Sequence, residues 1–190
     1  MKKILLASNS PRRKELLHAM GFDFSVVKID CDESFPDDLP IPEVAAYISN
    51  LKSKAYTDIL ENKILITSDT VVSIDNKILG KPSDRNHAKE MLQQLSGKTH
   101  QVYTAFTLRT KNSILSKTDV AHVSFLEINE EEINYYLDSY QPYDKAGSYG
   151  IQEWLGMTKI SKIEGSFYTI MGLPSHLIYP YLKELISHND

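Results

Sequence analysis

Apolar residues along this chain change their period several times, and the changes predict alternating strands and helices. Consecutive apolar residues at 4–7 and 64–66 predict buried strands, the second continuing to Ser68, whereas spacings of three and four from Val44 to Ile59 predict one helix face. Ser10 followed by Pro11 predicts a helix start, because serine caps backbone N–H groups and proline loses no hydrogen bond there. The same reasoning predicts further helices near residues 84–95, 129–140 and 172–186, and strands near residues 100–110 and 118–128.

The order of these elements predicts the fold class. Helices and strands alternate early in the chain, and strands cluster in its middle, which favours an α/β fold with a mixed, twisted sheet flanked by helices. The stretch 29–42 has three prolines and five acidic residues and is interpreted as a surface loop. With no repeat and no linker in 190 residues, we expect a single domain over residues 1–190.

Composition and charge narrow the function classes. A net charge of -4 and a pI near 5.9 argue against a nucleic-acid-binding module, which is usually basic. The apolar run at the N-terminus is too short for a signal peptide, and no stretch reaches the ~18 apolar residues of a membrane span. Cys31 is the only cysteine, so no internal disulfide forms, and we expect a cytoplasmic protein.

The segment "LLASNSPRRKELL" is the first candidate for chemistry. Ser8 and Ser10 precede a predicted helix N-terminus, where free N–H groups attract anions. Arg12 and Arg13 lie in the first turn, at the end of the helix dipole that disfavours cations. Two interpretations stay open on these residues alone: a phosphate site held by arginine forks, or a solvated arginine pair after an ordinary cap.

Two carboxylates are the next candidates. Asp69 lies in "ILITSDTVV", directly after the predicted strand 64–68, and we expect it at the end of that strand, either as a catalytic group or bonded to a turn. Glu33 lies in the acidic loop and is either a solvated charge or a partner of Asp69 in holding a hard divalent cation. No zinc ligand cluster and no G-x-S-x-G motif is present, so neither zinc chemistry nor serine hydrolysis is favoured.

Lysines and one glutamine complete the candidate set. Lys54 on the second predicted helix, Lys81 in "ILGKP" and Lys145 in "YDKAGSYGIQ" supply positive charge, although a single lysine is more often simply exposed. Gln152 has a donor and an acceptor and is suited to contact the edge of a nucleobase.

Together these stretches resemble the Maf family of nucleoside triphosphate pyrophosphatases. The matching blocks, in chain order, are "LASNSPRRKELL", the glutamate of "DES", "KSKA", "SDTVV", "ILGKP", "SGKTHQVYTAF", "YDKAGSYGIQ" and "GLP". The resemblance implies an inosine-triphosphatase-like, Maf-like fold with two lobes around a central cleft. It also implies hydrolysis of a nucleoside triphosphate to the monophosphate and pyrophosphate, with Mg²⁺, Mn²⁺ or Co²⁺, by a homodimer.

The resemblance also assigns roles to residues. Asp69 is expected to be the catalytic acid or base, and Glu33 a catalytic carboxylate that shares a metal with it. The residues expected to bind the substrate phosphates are Ser8, Ser10, Arg13, Lys54, Lys81 and Lys145.

Three positions point to a subfamily. Arg12, Thr70 and Gln152 match the branch that acts on dTTP and UTP. The branch that acts on 7-methylguanosine triphosphate typically has tryptophan, glutamine and glutamate there. One departure is "IQEWLGM", where many members have "IQG"; Glu153 and Trp154 are therefore expected to alter the rim of the base pocket.

A rival function of another class uses the same residues. A nucleotide-binding regulator of cell division would bind the triphosphate without cleaving it. Release of pyrophosphate distinguishes the two, because a pure binder yields no product.

Overall fold

Strands of the central sheet run in both directions. The computed structural model describes residues 2–187. Its strands are β1 (Lys3–Leu6), β2 (Phe24–Val26), β3 (Lys63–Ile74), β4 (Lys77–Leu79), β5 (Thr99–Arg109), β6 (Ile114–Phe125) and β7 (Ile160–Glu164). Its helices are α1 (Pro11–Ala19), α2 (Ile41–Ala55), α3 (Arg85–Leu95), α4 (Glu130–Tyr140), α5 (Trp154–Lys159), α6 (Phe167–Met171) and α7 (Ser175–Ser187), with a 3₁₀ turn at Ala146–Ser148.

The strand order is β2-β1-β3-β5-β6-β7, with β4 beside β3. Strand β1 runs parallel to both β2 and β3, whereas β4 is antiparallel to β3 and β7 is antiparallel to β6. The predicted mixed α/β sheet is confirmed.

The chain divides into two compact units. The first contains the residues up to Asp69, Thr104–Asp119 and the residues from Gly172 onward. The second contains Thr70–Tyr103 and Val120–Met171. That these form a single domain over residues 1–190 stays a prediction.

The first unit is built on the pairing of β1 with β3. Leu5 lies opposite Leu65 in a parallel register, and consecutive residues of both strands are buried. Burial of successive residues means that both faces of these strands are covered, as in other parallel sheets. Leu5 and Leu65 pack with Tyr56 and Leu60 in one apolar cluster.

Strand β3 is longer than the sequence predicts. The expectation that Asp69 ends a strand is wrong, because β3 runs from Lys63 to Ile74 and Asp69 lies in its interior. The polar residues before Asp69 are accommodated by hydrogen bonds: the Thr67 hydroxyl donates to the carbonyl of Ser49 at 2.8 Å, and the Ser68 hydroxyl to that of Ala105 at 2.7 Å. A hydroxyl that forms a hydrogen bond can be buried, so these polar residues do not interrupt the buried strand.

Helix α2 ends earlier than its apolar pattern predicts. The helix stops at Ala55, and Ile59 lies beyond it with 73% of its surface exposed, so the predicted stripe to Ile59 is wrong. The Arg109 guanidinium explains the end point: it donates to the carbonyl of Ser53 and, at 2.7 Å, to that of Tyr56. These bonds satisfy carbonyls that have no partner inside the helix.

Predicted helix starts are confirmed at two places. Ser10 caps α1 with Pro11 at its first position, and Asn129 forms a capping box with Glu132 at the start of α4. Pro180 does not break the last helix, which continues through it. Within residues 2–187, none of the helices combines the length and the hydropathy that crossing a bilayer requires.

The second unit contains a buried aromatic cluster around His100. Its ring centroid lies 5.1 Å from that of Phe125 and 5.4 Å from that of Tyr149. His100 Nε2 lies 2.7 Å from the Tyr149 hydroxyl. Burial lowers the pKa of His100 from 6.5 to about 4, because the charged imidazole loses its hydration.

This histidine makes stability depend on pH. Between about pH 6.5 and pH 4 the unfolded chain binds a proton that the folded chain rejects, so acid favours unfolding. We expect the free energy of unfolding to fall by roughly 2 kcal/mol from this residue alone between pH 6.5 and about pH 4.5. Urea unfolding of the wild type and of His100→Gln at both pH values measures this change in free energy. An equal change in the two proteins would contradict the role of His100.

Candidate functional site

The N-terminal end of α1 brings together three of the predicted phosphate-binding residues, Ser8, Ser10 and Arg13. The Ser8 hydroxyl accepts the N–H of Ser10 at 3.2 Å, and the Ser10 hydroxyl accepts the N–H of Arg13 at 3.5 Å. Arg13 Nη1 donates to the Ser8 hydroxyl at 3.3 Å. The two serines and Arg13 are therefore brought together, at the end of the helix where N–H groups favour an anion.

A single backbone carbonyl connects Arg13 to β3. Arg13 Nε donates to the carbonyl of Gly172 at 2.8 Å, and the Ser68 hydroxyl lies 3.1 Å from the same oxygen. Ser68 directly precedes Asp69, so this carbonyl fixes the guanidinium relative to the strand that carries the carboxylate. The Nε edge of the Arg13 guanidinium therefore serves to position the group against Gly172.

The two predicted catalytic carboxylates meet at one lysine. Lys52 Nζ lies 2.7 Å from Asp69 Oδ1 and 3.0 Å from Glu33 Oε1. The Asp69 side chain is 13% exposed and the Glu33 side chain 49% exposed. Asp69 is thus the sheltered member of the pair, and its ion pair is screened less by solvent than that of Glu33.

Burial and nearby charged side chains both affect the pKa of the Arg13 guanidinium. Burial lowers the pKa of the Arg13 guanidinium below its ordinary value, and the Asp69 and Glu33 carboxylates oppose that effect. Arg12, as a second positive charge, lowers it further. Arg13 and the two carboxylates therefore form one electrostatic group, which is what chemistry on a charged phosphate requires.

Glu33 is carried by a loop with local order. The Asp32 carboxylate accepts the N–H of Ser34 at 2.9 Å, a turn that spans Glu33. This hydrogen bond lowers the pKa of Asp32 below its usual value. Asp32 therefore stays ionised in the turn that presents Glu33.

The donor chemistry here fits a hard divalent cation. Glu33 and Asp69 present carboxylate oxygens to the same point, now contacted by Lys52 Nζ. Magnesium is usually held by one or two carboxylates together with substrate phosphates and water, so a pair is sufficient. No group of three or more ligating side chains is found within residues 2–187.

The lysine at this site differs from the one singled out from the sequence. Lys52 contacts both carboxylates, whereas Lys54 is exposed on α2 and is not brought to them. The helical period explains the difference, since Lys52 lies four residues after buried Ile48 and shares its face, and Lys54 is turned away from that face. A role for Lys54 in binding substrate stays a prediction.

Buried hydroxyls hold the Lys52 side of α2 against β3. The Ser49 hydroxyl lies 3.3 Å from that of Thr67 and 2.9 Å from that of Thr107. These contacts fix the rotation of α2 about its axis, and hence the direction in which Lys52 extends. This network is not evident from the sequence, because single serines and threonines among apolar residues carry no charge pattern.

In the second unit, two loops with predicted phosphate-binding lysines are joined. Gly147 N–H donates to the carbonyl of Gly80 at 3.1 Å, which links the loop of Lys145 to that of Lys81. Gly147 has a φ of +69°, and a Cβ there would lie 3.0 Å from the Val72 side chain, so glycine is required. Lys81 is exposed, whereas the Lys145 side chain is only 11% exposed.

The predicted specificity residues occupy different surroundings. Arg12 is half-buried in the first turn of α1, in the first unit. Thr70 is half-buried in β3 directly after Asp69, and Gln152 is exposed in the turn before α5, both in the second unit. Their predicted role in base selection stays a prediction.

Glu153 and Trp154 are both held by tyrosines of α4. Glu153 accepts a hydrogen bond from the Tyr136 hydroxyl, and its other oxygen lies 3.1 Å from Lys145 Nζ. The Trp154 ring packs edge-on against Tyr135 with centroids 5.0 Å apart. Their effect on a base pocket stays a prediction.

Comparison with known proteins adds to this geometry. A model of the family described as Maf-like protein matches residues 3–185. A dTTP/UTP pyrophosphatase of Bacteroides thetaiotaomicron is 51% identical over 185 residues, covering 96% of both chains. Proteins of the same name from Flavobacterium psychrophilum and Porphyromonas gingivalis are each 46% identical, covering 95% and 98% of this chain and 93% and 96% of theirs.

Solved structures show a more distant likeness. The Ham1 protein of Staphylococcus aureus is 17% identical with a TM-score of 0.47, covering 68% of this chain and 73% of that one. A likeness at that level is too remote to assign a function.

Proposed function

The chain belongs to the Maf family, and on that premise we propose that it hydrolyses dTTP and UTP to the nucleoside monophosphate and pyrophosphate. The observation that carries the proposal is the grouping of Arg13, Ser8, Glu33, Lys52 and Asp69 in one unit of a chain with near-full-length dTTP/UTP pyrophosphatase relatives. Such an enzyme removes nucleotides from the pool, which is a house-cleaning role.

The cations of the first unit suit the charge of the substrate. A nucleoside triphosphate carries about four negative charges near neutral pH, and its hydrolysis shifts negative charge onto the leaving pyrophosphate. Arg13, held by Gly172 and Ser8, directs a guanidinium at these oxygens, and the N–H groups of α1 add further donors. Lys54 in this unit, and Lys81 and Lys145 in the second unit, keep their predicted role in binding substrate phosphates.

Asp69 is assigned the proton transfer. A water must lose a proton as its oxygen bonds to phosphorus and the linkage between the α- and β-phosphoryl groups breaks. Asp69 is the sheltered carboxylate, and Lys52 holds one of its oxygens at 2.7 Å, which leaves the other to accept that proton. Glu33 shares Lys52 and is assigned to hold the same water or cation.

Glu33 and Asp69 would also hold a divalent metal, Mg²⁺, Mn²⁺ or Co²⁺. When bound, such an ion neutralises phosphate charge and polarises the P–O bonds. Two carboxylates at one point, with substrate oxygens as further ligands, support this assignment.

Base selection is assigned to Arg12, Thr70 and Gln152. Their side chains offer donors and, in Thr70 and Gln152, acceptors that match the polar edge of thymine or uracil. The O4 oxygen shared by both bases is the feature to be recognised.

One assay separates this function from its rival. Incubation with dTTP and Mg²⁺ or Mn²⁺ is expected to release dTMP and pyrophosphate, detected by chromatography and a coupled pyrophosphate assay, and EDTA is expected to stop it. A regulator would instead show thermal stabilisation by dTTP without product. The names of the relatives favour the enzyme, and faster cleavage of purine triphosphates than of dTTP and UTP would contradict the assigned base preference.

Assembly and location complete the proposal. We expect a homodimer that acts in the cytoplasm on free nucleotides, and the single cysteine is consistent with a reducing compartment. Light scattering coupled to gel filtration measures the mass, and a value near 21.6 kDa would contradict the dimer.

A further inference from the structure

The carboxylate of Glu153 closes a ring of hydrogen bonds in the second unit. The Tyr136 hydroxyl donates to Glu153 Oε2, and the hydroxyl oxygen accepts the N–H of Gly150 at 3.0 Å. Glu153 N–H donates to the carbonyl of Gly150 at 3.1 Å. The turn from Gly150 to Glu153 is therefore held at both ends, and Gln152 lies on it.

The same carboxylate reaches Lys145. Glu153 Oε1 lies 3.1 Å from Lys145 Nζ, and the two side chains are 19% and 11% exposed. Asp144 also contacts this lysine but is 60% exposed, so Glu153 is its sheltered partner. Glu153 therefore connects the residue assigned to the phosphates with the turn that carries the residue assigned to the base.

Packing leaves the Glu153 carboxylate little freedom. Tyr136 is fully buried on α4, so its hydroxyl is a fixed point. A Cβ on Gly150 would lie 2.6 Å from Glu153 Cδ, closer than two non-bonded carbons approach. The carboxylate thus lies directly against the backbone of Gly150.

We propose that Tyr136 and Glu153 are positioning residues that fix the Gln152 turn relative to Lys145 and so set the selectivity of this enzyme between pyrimidine bases. The inference rests on the proposed function. A glutamine amide has one acceptor and one donor end, and thymine and uracil present an acceptor at position 4 where cytosine presents a donor. Selection by Gln152 depends on the distance and angle at which its amide meets that position, and the backbone of the turn sets both.

The test is the ratio of kcat/KM for dTTP to kcat/KM for CTP, measured on one preparation of each variant. Tyr136→Phe, Glu153→Ala and Gly150→Ala are each expected to lower this ratio by about fivefold or more, because the turn that carries Gln152 is released. The fraction of folded protein cancels in the ratio, so a merely structural role does not move it. Gly150→Ala displaces the carboxylate without altering Tyr136 or Glu153, and replaces Tyr136→Phe if that variant does not fold.

Two further variants are controls. Tyr140→Phe removes a hydroxyl from the ring stacked on Tyr136, at a centroid distance of 5.2 Å, and is expected to keep the wild-type ratio. Glu153→Gln retains an acceptor for the Tyr136 hydroxyl but loses the ion pair with Lys145, so its ratio is expected to lie between those of the wild type and Glu153→Ala. A Glu153→Gln ratio as low as that of Glu153→Ala would overturn the positioning by Tyr136.

Failure of this inference differs from failure of the proposed function. If the wild type releases no pyrophosphate from dTTP, the proposed function fails. If the wild type is active but has a ratio near one, or the three variants keep the wild-type ratio, only the positioning inference is overturned.

Discussion

Asp69→Asn is expected to lower kcat for dTTP by ~100-fold or more, because an amide does not accept the proton that the attacking water loses. The asparagine keeps an oxygen for the Lys52 ammonium, now 2.7 Å from Oδ1, and its shape suits the interior of β3. We therefore expect the thermal unfolding midpoint to change little while turnover is lost. Steady-state pyrophosphate release and differential scanning calorimetry measure the two quantities.

A second aspartate variant tests whether the effect depends on the position of Asp69 or only on the loss of one negative charge. Asp75→Asn removes the same charge from an exposed turn of the second unit, where Asp75 pairs with Lys98 at 2.8 Å. Asp75→Asn is expected to keep wild-type turnover, because a surface ion pair contributes little to stability and Asp75 is not one of the predicted site residues. A folded Asp69→Asn enzyme that turns over as fast as Asp75→Asn would remove Asp69 from the proton transfer.

Arg13→Gln is expected to lower kcat/KM for dTTP by ~100-fold or more, the usual cost of losing one fixed donor at a developing oxyanion. Arg13 is positioned by Gly172 and Ser8, so a shorter neutral side chain loses both the charge and the geometry. Arg13→Lys keeps the charge but not the fork, and we expect it to fall between Arg13→Gln and the wild type. Steady-state kinetics with dTTP at fixed ionic strength measures the series.

Neighbouring residues of α1 supply the controls for Arg13. Lys14→Gln removes one positive charge from the next position and is expected to leave kcat/KM near the wild-type value. Arg12→Gln is expected to change the preference among bases more than the rate with dTTP, since Arg12 is assigned to the base. Loss of activity in Lys14→Gln as large as in Arg13→Gln would show that net charge, and not the held guanidinium, is responsible.

Much of the fold follows from local patterns. The strands at residues 4–7 and 64–68, the cap at Ser10 and the capping box at Asn129 depend on neighbours in the sequence, and each is confirmed. The end of α2 and the course of β3 depend on distant partners instead. Arg109 satisfies the last carbonyls of α2, and Ala105 accepts from Ser68 inside β3.

The residues of the candidate site also divide into those indicated by local sequence and those identified only through distant contacts. Sequence motifs indicated Ser8, Arg13 and Asp69 as candidates, because an anion-binding helix start and a carboxylate beside an apolar run have recognisable residue types. Glu33 lies in an acidic loop, and only the family resemblance gave it a catalytic role. Within the motif "KSKA", the sequence interpretation selected Lys54 and not Lys52. Lys52 was identified only when the rotation of α2 against β3 was known.

The sequence by itself determined the family and the α/β class, since these depend on residue identity and local period. Only the tertiary structure decided that Lys52 joins Glu33 to Asp69, and that Glu153 joins Lys145 to the Gln152 turn. Both arrangements bring together groups from separate parts of the chain. Their geometry is set by packing and by the cost of leaving buried polar groups unpaired, and neither condition is local in sequence.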